Sequence, residues 1–280
     1  MTNFLNNKKN TTNPIILQPN ISDNKLTKRV YGINEINETI NIDVVTEKPL
    51  TIYLNSQEIV TTMTLGDMPK ELSVGYLLNQ NMINNKDTIE NIDYDEDLDV
   101  VIIRTKRKTN YEKKLSKKIR TSGCAVGTVY GDMMETFYDI KLNDRTKIKS
   151  SWMKKISKDI TEIPSLYLKA GAIHGCALCL KDQVLAYVED VGRHNAVDKI
   201  AGWMFLNNIE GQDKIFYTTG RLTSEMIIKT VQMQIPILLS RSGFTESGVN
   251  LANEANLSLI GRMKGKRFVL LSGSHRVIYD

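Results

Sequence analysis

The chain has 280 residues, of which 41% are hydrophobic and 25% charged, the composition of an ordinary globular protein with one large or two smaller domains. No apolar run reaches the ~18 residues that span a membrane, and the amino-terminal residues lack the apolar core of a secretion signal. Three cysteines are too few for a disulfide framework, so we expect free thiols in a reducing cytoplasm. The net charge of +5 does not by itself predict binding to nucleic acid.

Composition and periodicity divide the chain into four segments. Residues 1–28 are polar, which predicts a flexible tail or a loosely attached arm. Residues 29–108 contain short β-rich runs, which predict a smaller β-rich domain. Residues 109–150 contain most of a basic run and the first cysteine. Residues 151–280 alternate strands and helices, which predicts a sheet of largely parallel strands covered by helices. The predicted fold class is α/β, or α+β for the chain as a whole.

In the amino-terminal domain the sequence predicts a hairpin and one helix. Strands are predicted at 43–46, 50–54, 60–64 and 99–104. The turn-forming run 47–49 predicts that the first two strands pair as a hairpin. Asp67 is predicted to cap a helix that has Pro69 in its first turn and ends near Asn79.

A single thiol, Cys124, follows a basic run and lies between glycines at 123 and 127. The basic run, residues 106–120, holds eight basic residues and one acidic residue. Nearby cations lower the pKa of a thiol from ~8.5 and so favour the reactive thiolate. Small neighbours leave the sulfur open to a large partner. We interpret this stretch as a reactive, mobile cysteine loop, and the alternative is a buried structural cysteine beside a solvated charged run.

Three loops of the carboxyl-terminal domain combine glycine with arginine or lysine. The predicted strands there are 172–180, 184–188, 214–218, 235–240, 257–261 and 267–271, and the predicted helices are 151–160, 196–205, 224–232 and 247–255. The loops are 219–221, which includes Arg221, 240–245 and 262–267. In open α/β sheets, ligands bind beyond the carboxyl ends of parallel strands, and this loop chemistry suits phosphate or pyrophosphate. We therefore predict an anionic ligand at one edge of the sheet.

The most polar stretch, residues 189–195, joins a predicted strand to a predicted helix. It contains Asp190, Arg193, His194 and Asn195. We interpret these side chains as building a polar site rather than packing in a core. Three roles stay open for His194: a proton shuttle, a hydrogen-bond donor to a cofactor, or a structural residue at the start of the helix.

Cys176 and Cys179 form a separate Cys-x-x-Cys pair two residues after His174. The alternatives are a zinc site, a redox pair, or two buried and inert cysteines. Residues three apart on a strand point to opposite faces, which favours inert cysteines and no permanently bound metal. A zinc-dependent deaminase is the alternative enzyme, but that class carries His-x-Glu and Pro-Cys-x-x-Cys. Gly175 stands where the proline would be, and neither His174 nor His194 is followed by glutamate at the second position, so neither half of the signature is complete.

Three stretches together resemble the formate dehydrogenase accessory sulfurtransferases, the FdhD family. They are Thr121-Ser122-Gly123-Cys124, the long run from Glu189 to Lys199, and Thr219-Gly220-Arg221 continuing through Ser224-Glu225-Met226 to Ile235-Pro236-Ile237. The resemblance extends over about residues 29–272. It implies that the larger domain resembles the cytidine deaminase fold without being a deaminase, and that the protein is a homodimer.

The resemblance also implies an activity. Members of the family take sulfur from a cysteine desulfurase as a cysteine persulfide. They deliver it to their bound substrate, the molybdenum or tungsten bis(molybdopterin guanine dinucleotide) cofactor, before that cofactor enters formate dehydrogenase. Cys124 matches the persulfide-bearing cysteine. The segment that matches the family's position for the cofactor is Ile260-Gly261-Arg262-Met263-Lys264-Gly265. Arg193, His194 and Arg221 are predicted to bind the cofactor with it.

One position departs from the family pattern. Many members carry Cys-x-x-Cys at the first motif, whereas Gly127 occupies the place of the second cysteine in this chain. A relay between two thiols of this loop is therefore excluded, but transfer through one persulfide remains chemically complete. The alternative function is a chaperone that binds the cofactor and formate dehydrogenase without moving sulfur. Such a chaperone would not need Cys124.

Overall fold

The computed structural model describes residues 16–84, 86–107 and 130–280, without the side chains of residues 130–133 and 135. The loop predicted around Cys124 and residues 1–15 of the predicted tail lie outside this part of the chain. The described strands are β1 (Ile16–Leu17), β2 (Thr27–Ile33), β3 (Thr39–Val45), β4 (Lys48–Leu54), β5 (Gln57–Thr64), β6 (Ile89–Asp95), β7 (Val100–Thr105), β8 (Ile148–Lys149), β9 (His174–Leu180), β10 (Gln183–Asp190), β11 (Ile215–Thr218), β12 (Ile237–Ser240), β13 (Ser258–Lys264), β14 (Arg267–Ser272) and β15 (Val277–Ile278). The described α-helices are α1 (Pro69–Asn79), α2 (Tyr130–Asp139), α3 (Ser150–Glu162), α4 (Leu166–Ala170), α5 (Arg193–Leu206), α6 (Ser224–Gln232) and α7 (Glu246–Glu254).

The largest sheet has the strand order β1-β10-β9-β11-β12-β13-β14. The pairs β1–β10, β11–β12 and β12–β13 are parallel, whereas β10–β9, β9–β11 and β13–β14 are antiparallel. Five of the seven strands, β1 and β10 to β13, thus run in one direction, which confirms the prediction of a largely parallel sheet. The tight turns after β9 and β13 return the chain antiparallel to the strand before, so β9 and β14 are the exceptions. The four strands β10 to β13 run in one direction, so their carboxyl ends share one edge with the amino end of β9.

Helices cover both faces of this sheet. Phe216 and Leu238 pack with α5 and α6 on one face, and Tyr217 and Leu239, one residue further along each strand, pack with α3 on the other. Alternate residues of a strand point to opposite faces, so two buried faces require strands that are apolar throughout. Every residue of β11 and β12 is buried. The mixed α/β fold class predicted for the chain is confirmed, and its likeness to cytidine deaminase stays a prediction.

The first described residues belong to this sheet. Ile16 and Leu17 form β1, which pairs in parallel with Ala186 and Tyr187 of β10. Backbone hydrogen bonding of this kind attaches a segment to the sheet, so these two residues favour the predicted attached arm over a flexible tail.

Two smaller sheets make up the amino-terminal domain. Strand β3 pairs with β2 and β4 pairs with β5 and β7, so the predicted hairpin of residues 43–46 with 50–54 was wrong. The reason is burial. Leu50, Ile52 and Leu54 of β4 pack against α1 in the core of a four-stranded sheet, whereas most of β3 is exposed or half-buried. A local turn signal does not record which sheet a strand joins.

Helix α1 begins without the cap that the sequence predicts. Its N-cap residue is Met68, with a positive φ of 50° and no side-chain hydrogen bond to the helix. Asp67 instead hydrogen-bonds to Lys199 in the other domain. The carboxylate of Asp67 therefore pairs with the buried ammonium group of Lys199 and does not cap the helix.

The two domains meet where α1 crosses α5. A Cβ atom at Gly75 would lie 1.7 Å from the carbonyl oxygen of Asp198, and one at Gly202 would lie 1.8 Å from the carbonyl oxygen of Glu71. No side chain fits between the helices at this point, so only glycine allows their backbones to approach so closely. Within the described ranges, no helix has the length and apolar character required to cross a membrane.

Candidate functional site

The three predicted ligand loops meet at the carboxyl edge of the large sheet. The hydroxyl of Ser240 donates a hydrogen bond to the carbonyl of Gly220 at 2.7 Å. The backbone N–H of Arg262 donates to the carbonyl of Ser242, also at 2.7 Å. Each stretch is thus tied to its neighbour, and the predicted grouping at one edge is confirmed. The predicted loop 262–267 was wrong in its bounds, because residues 262–264 belong to β13 and only residues 265–266 form the turn to β14.

Glycine in the first loop makes room for an arginine of the polar motif. A Cβ atom at Gly220 would lie only 3.2 Å from Cδ of Arg193, which is the first residue of α5. The backbone N–H of Gly220 donates to Thr218 Oγ1 at 3.1 Å, which fixes the loop on the end of β11. The packing therefore brings Arg193 beside the loop that carries Arg221.

Three arginines give this edge of the sheet a positive charge. Arg221, Arg241 and Arg262 are exposed. In the part of the chain that the structure describes, none of the three forms an ion pair with a carboxylate. Arginine binds carboxylates and phosphates, and charges of one sign on one surface attract the opposite charge, so three such cations at one edge of the sheet favour an anionic ligand.

His174 belongs to this cluster, although the sequence did not place it in the ligand site. It is the first residue of β9 and lies opposite Asp190 in the sheet. Burial lowers the pKa of His174, and the charges of Arg193 and Arg241 lower it further. The imidazole is therefore mainly neutral near neutral pH, and an anion bound among these arginines would favour its protonation.

We expect the depressed pKa of His174 to destabilise the protein in mild acid. The unfolded chain binds a proton at the ordinary histidine pKa of ~6.5, whereas folded His174 binds it only at lower pH, so unfolding takes up protons in between. Stability should fall as the pH falls below about 6.5. The test measures the free energy of unfolding in urea at about pH 7.5 and at about pH 5.5. The decrease of this free energy between the two pH values should be smaller for His174→Gln than for wild type. Equal losses would contradict this assignment.

Next to His174, the side chain of His194 is held by a buried carboxylate. His194 Nε2 lies 2.9 Å from Oε2 of Glu225, the second residue of α6, and both side chains are largely buried. Burial lowers the pKa of His194, and its pairing with Glu225 only partly offsets that effect. Both ring nitrogens are buried, and neither has a partner of good hydrogen-bond geometry among the described residues, so the contact with Glu225 is one of ion-pair distance.

Two other residues of the polar motif serve the domain interface and do not face the ligand loops. Asp190 accepts hydrogen bonds from Thr64 Oγ1 and from the backbone N–H of Leu65, both in the amino-terminal domain. Asn195 donates to the carbonyl of Met63 at 2.8 Å and to Asp190 at 2.9 Å. Both side chains are buried between the domains, and Asp190 also accepts a hydrogen bond from the backbone N–H of Gly192 at 3.0 Å, just before Arg193. Their predicted role in building the site stays a prediction.

The end of the motif adds two buried lysine pairs. Lys199 Nζ lies 2.7 Å from Asp190 Oδ2 and also contacts Asp67. Lys229 Nζ contacts both carboxylate oxygens of Asp198 at 2.8 Å. The local sequence gives no sign of these pairs, because their members come from different elements.

The predicted cofactor segment 260–265 is only partly accessible. Ile260 and Met263 are buried in the core on the α3 face. A Cβ atom at Gly261 would lie 2.6 Å from the ring of Phe244, so this glycine packs against the neighbouring loop. Arg262, Lys264 and Gly265 are exposed. Side chains of this segment can therefore reach a ligand only from Arg262 onwards.

Cys176 and Cys179 lie on opposite faces of β9, as the strand geometry predicted. Cys176 packs on the α5 and α6 face and Cys179 on the α3 face, and both are completely buried. Burial raises the pKa of Cys176 to about 12, and burial also raises the pKa of Cys179. Because a thiol reacts as its thiolate, neither of these buried thiols is a nucleophile near neutral pH. In the three described ranges, no group of three or more His, Cys, Asp or Glu side chains could hold a metal ion.

Comparison with known proteins gives one consistent result. The model of the FdhD/NarQ family matches residues 45–278. A Listeria monocytogenes serotype 4b protein named sulfur carrier protein FdhD is 30% identical over 253 residues, which cover 86% of this chain and 93% of that protein. A Bacillus pumilus protein of the same name is 28% identical over 236 residues, which cover 84% of this chain and 90% of the relative.

The fold is also found in a solved structure. The crystal structure of a formate dehydrogenase accessory protein from Desulfotalea psychrophila superposes with a TM-score of 0.73 and 24% sequence identity. The superposition covers 90% of this chain and 98% of that chain. The similarity therefore extends over both domains.

Proposed function

Because the chain belongs to the FdhD/NarQ family, we propose that it is a sulfur carrier required for formate dehydrogenase activity. In this proposal Cys124 accepts sulfur from a cysteine desulfurase as a persulfide. The persulfide then passes its outer sulfur to the molybdenum bis(molybdopterin guanine dinucleotide) cofactor. The names of the relatives support the sulfur-carrier role, and the solved structure supports the fold.

One observation about the site supports the cofactor as the substrate. Arg221, Arg241 and Arg262 form no ion pair with a carboxylate in the described ranges, and they lie at or just after the carboxyl ends of β11, β12 and β13, the edge where α/β sheets bind ligands. Helix α6 begins at the same edge. Its N-cap residue, Thr223, makes no side-chain hydrogen bond to the helix, and the positive end of a helix dipole favours an anion. Arginines and a helix amino terminus together suit the diphosphates of a dinucleotide.

The first transfer is a thiol–persulfide exchange. The thiolate of Cys124 attacks the outer sulfur of the donor's persulfide, a new sulfur–sulfur bond forms on Cys124, and the donor cysteine leaves as a thiolate. The reaction needs one thiol on the acceptor. The glycine at position 127 is therefore compatible with it.

The alternative function is a chaperone that binds the cofactor without moving sulfur. The described site favours it in one respect, because every group found there serves binding. The cysteine desulfurase, the homodimer, the cytoplasmic location and the choice of molybdenum over tungsten stay predictions.

Substitution of Cys124 separates the two functions. After incubation with a cysteine desulfurase and cysteine, intact-protein mass spectrometry should show wild type heavier by one sulfur atom, and a reductant should remove it. Cys124→Ala should gain nothing and should fail to support formate dehydrogenase activity. The matched control is the double variant Cys176→Ala/Cys179→Ala, which should gain one sulfur because those thiols are buried. A chaperone would instead support formate dehydrogenase in the Cys124→Ala form.

A further inference from the structure

An arginine and a tyrosine stack on each other at the rim of the candidate site. The guanidinium carbon of Arg241 lies 4.6 Å from the centre of the Tyr167 ring. Arg241 is exposed, and Tyr167 keeps 44% of its surface exposed. Arg241 follows the last residue of β12 directly, whereas Tyr167 belongs to α4. The two side chains therefore form a flat, open surface beside the ligand loops.

This surface is held by a buried carboxylate and not by the stacking alone. Oε2 of Glu189 accepts a hydrogen bond from the backbone N–H of Leu166 at 2.7 Å, and Oε1 accepts one from that of Tyr167 at 3.3 Å. The hydroxyl of Tyr187 also donates to Glu189, at 3.0 Å. Glu189 is completely buried in β10. The short helix that carries Tyr167 is thus fixed to the sheet, and the ring needs little further ordering when it binds a ligand.

The stacked pair adjoins the positive cluster. Ser242, the next residue after Arg241, accepts the backbone hydrogen bond of Arg262. The charge of Arg241 also contributes to the lowered pKa of His174, the first residue of β9 at the same edge. Among the described residues Arg241 forms no ion pair with a carboxylate. Stacking on an aromatic ring leaves its charge uncompensated and its planar surface available.

We propose that the planar base of a nucleotide stacks on the Tyr167–Arg241 pair while its phosphates bind the arginines of the adjoining loops. Flat heterocycles stack on tyrosine rings and on guanidinium planes, and phosphates bind arginine. An anion without a ring would use only the cluster. A ring without phosphates would use only the stacked pair. This inference rests on the proposed function, since both place a nucleotide-bearing ligand at this edge.

The experiment compares a ligand with a base and a ligand without one. Guanosine diphosphate and inorganic pyrophosphate are titrated into the full chain by isothermal calorimetry. For Tyr167→Leu we expect affinity for guanosine diphosphate to fall about fivefold or more, because stacking on an aromatic side chain contributes at least that factor. Affinity for pyrophosphate should stay unchanged. Tyr167→Phe keeps the ring and is the matched control, which should bind both ligands as wild type does.

A second variant tests the arginine in the same way. Arg241→Lys keeps the positive charge and loses the planar surface, so it should retain most of the pyrophosphate affinity and lose affinity for guanosine diphosphate. Both side chains are exposed, so we expect the circular dichroism and thermal unfolding of these variants to match wild type.

The possible outcomes separate this inference from the proposed function. If Tyr167→Leu weakens both ligands equally, or neither, or if wild type binds guanosine diphosphate no better than pyrophosphate, the stacking inference is overturned and the anion site stands. If wild type binds neither ligand, the proposed cofactor site is overturned, and the stacking inference with it. If Tyr167→Leu loses affinity for guanosine diphosphate and keeps its affinity for pyrophosphate, the result supports both the stacking inference and the proposed cofactor site.

Discussion

Replacing Lys199 with methionine should lower the free energy of unfolding by about 3–5 kcal/mol, the cost of leaving a buried charge without its partner. Lys199 is completely buried. Its ammonium group contacts the carboxylates of Asp190 and Asp67, and it donates to the carbonyl of Glu189 at 2.9 Å. Methionine fills a similar volume but removes every one of these interactions.

The pKa values of the two aspartates show what the lysine does. Burial acts to raise the pKa of Asp190, but the charge of Lys199 and several hydrogen bonds more than offset it, so the pKa lies below its ordinary value. For Asp67, burial outweighs the charge of Lys199, and the pKa is raised. Without Lys199 the pKa of each carboxyl group would rise, because burial would no longer be offset by the charge of the lysine. Protonation in acid would relieve the cost of burying these carboxylates.

Chemical denaturation monitored by circular dichroism measures this effect. The stability difference between Lys199→Met and wild type should be largest near neutral pH and should shrink as the pH falls towards 4, where carboxylates bind protons. Lys158→Met is the matched control, because Lys158 is 72% exposed and its pair with Glu162 is 3.8 Å long. That variant should change stability by less than about 0.5 kcal/mol. A loss below 1 kcal/mol for Lys199→Met, or one independent of pH, would falsify the assignment.

Adding a methyl group where α1 crosses α5 should lower the free energy of unfolding by a comparable amount. Gly202→Ala should destabilise the protein by about 3 kcal/mol, because the added Cβ would lie 1.8 Å from the carbonyl oxygen of Glu71. The opposing atom is backbone and cannot rotate away. Helices α1 and α5 must then separate, which also disturbs the Lys199 contacts nearby. In an isolated helix the same change is favourable by about 1 kcal/mol, so the sign of the effect reports packing and not helix propensity.

Gly32→Ala is the control for this substitution. At Gly32 an added Cβ would approach no closer than 3.9 Å to another atom, the side chain of Ile40. We expect a change within about 0.5 kcal/mol there. Thermal unfolding of both variants gives the comparison. A Gly202→Ala protein as stable as wild type would show that the helices can separate at no cost.

These two interactions explain why the polar motif of residues 189–199 contains more charged groups than the ligand site uses. Asp190, Asn195 and Lys199 bind the amino-terminal domain, while Arg193 and His194 face the ligand loops. The helix that carries both sets is α5. A change in domain packing is therefore expected to move the ligand-facing residues too, so stability should be measured beside every activity measurement on this motif.

Much of the carboxyl-terminal domain could be predicted from the residues. The helix predicted at 224–232 coincides with α6, and the loops at 219–221 and 240–245 do follow neighbouring parallel strands. These features depend on local spacing: apolar residues recur with the period of a helix, and loop residues interrupt strands. The resemblance of the motifs to the FdhD family likewise needed only the order of the residues.

The sequence by itself therefore determined the family, the local elements and the chemistry of the ligand loops. Only the tertiary structure decided which strands pair, since a ladder of backbone hydrogen bonds is alike for any partner and β3 could join either neighbour. It also decided that Lys199 binds Asp67, 132 residues away, and that Tyr167 and His174 lie beside Arg241. Contacts between distant residues depend on how the layers pack, and the spacing of residues along the chain does not show that packing.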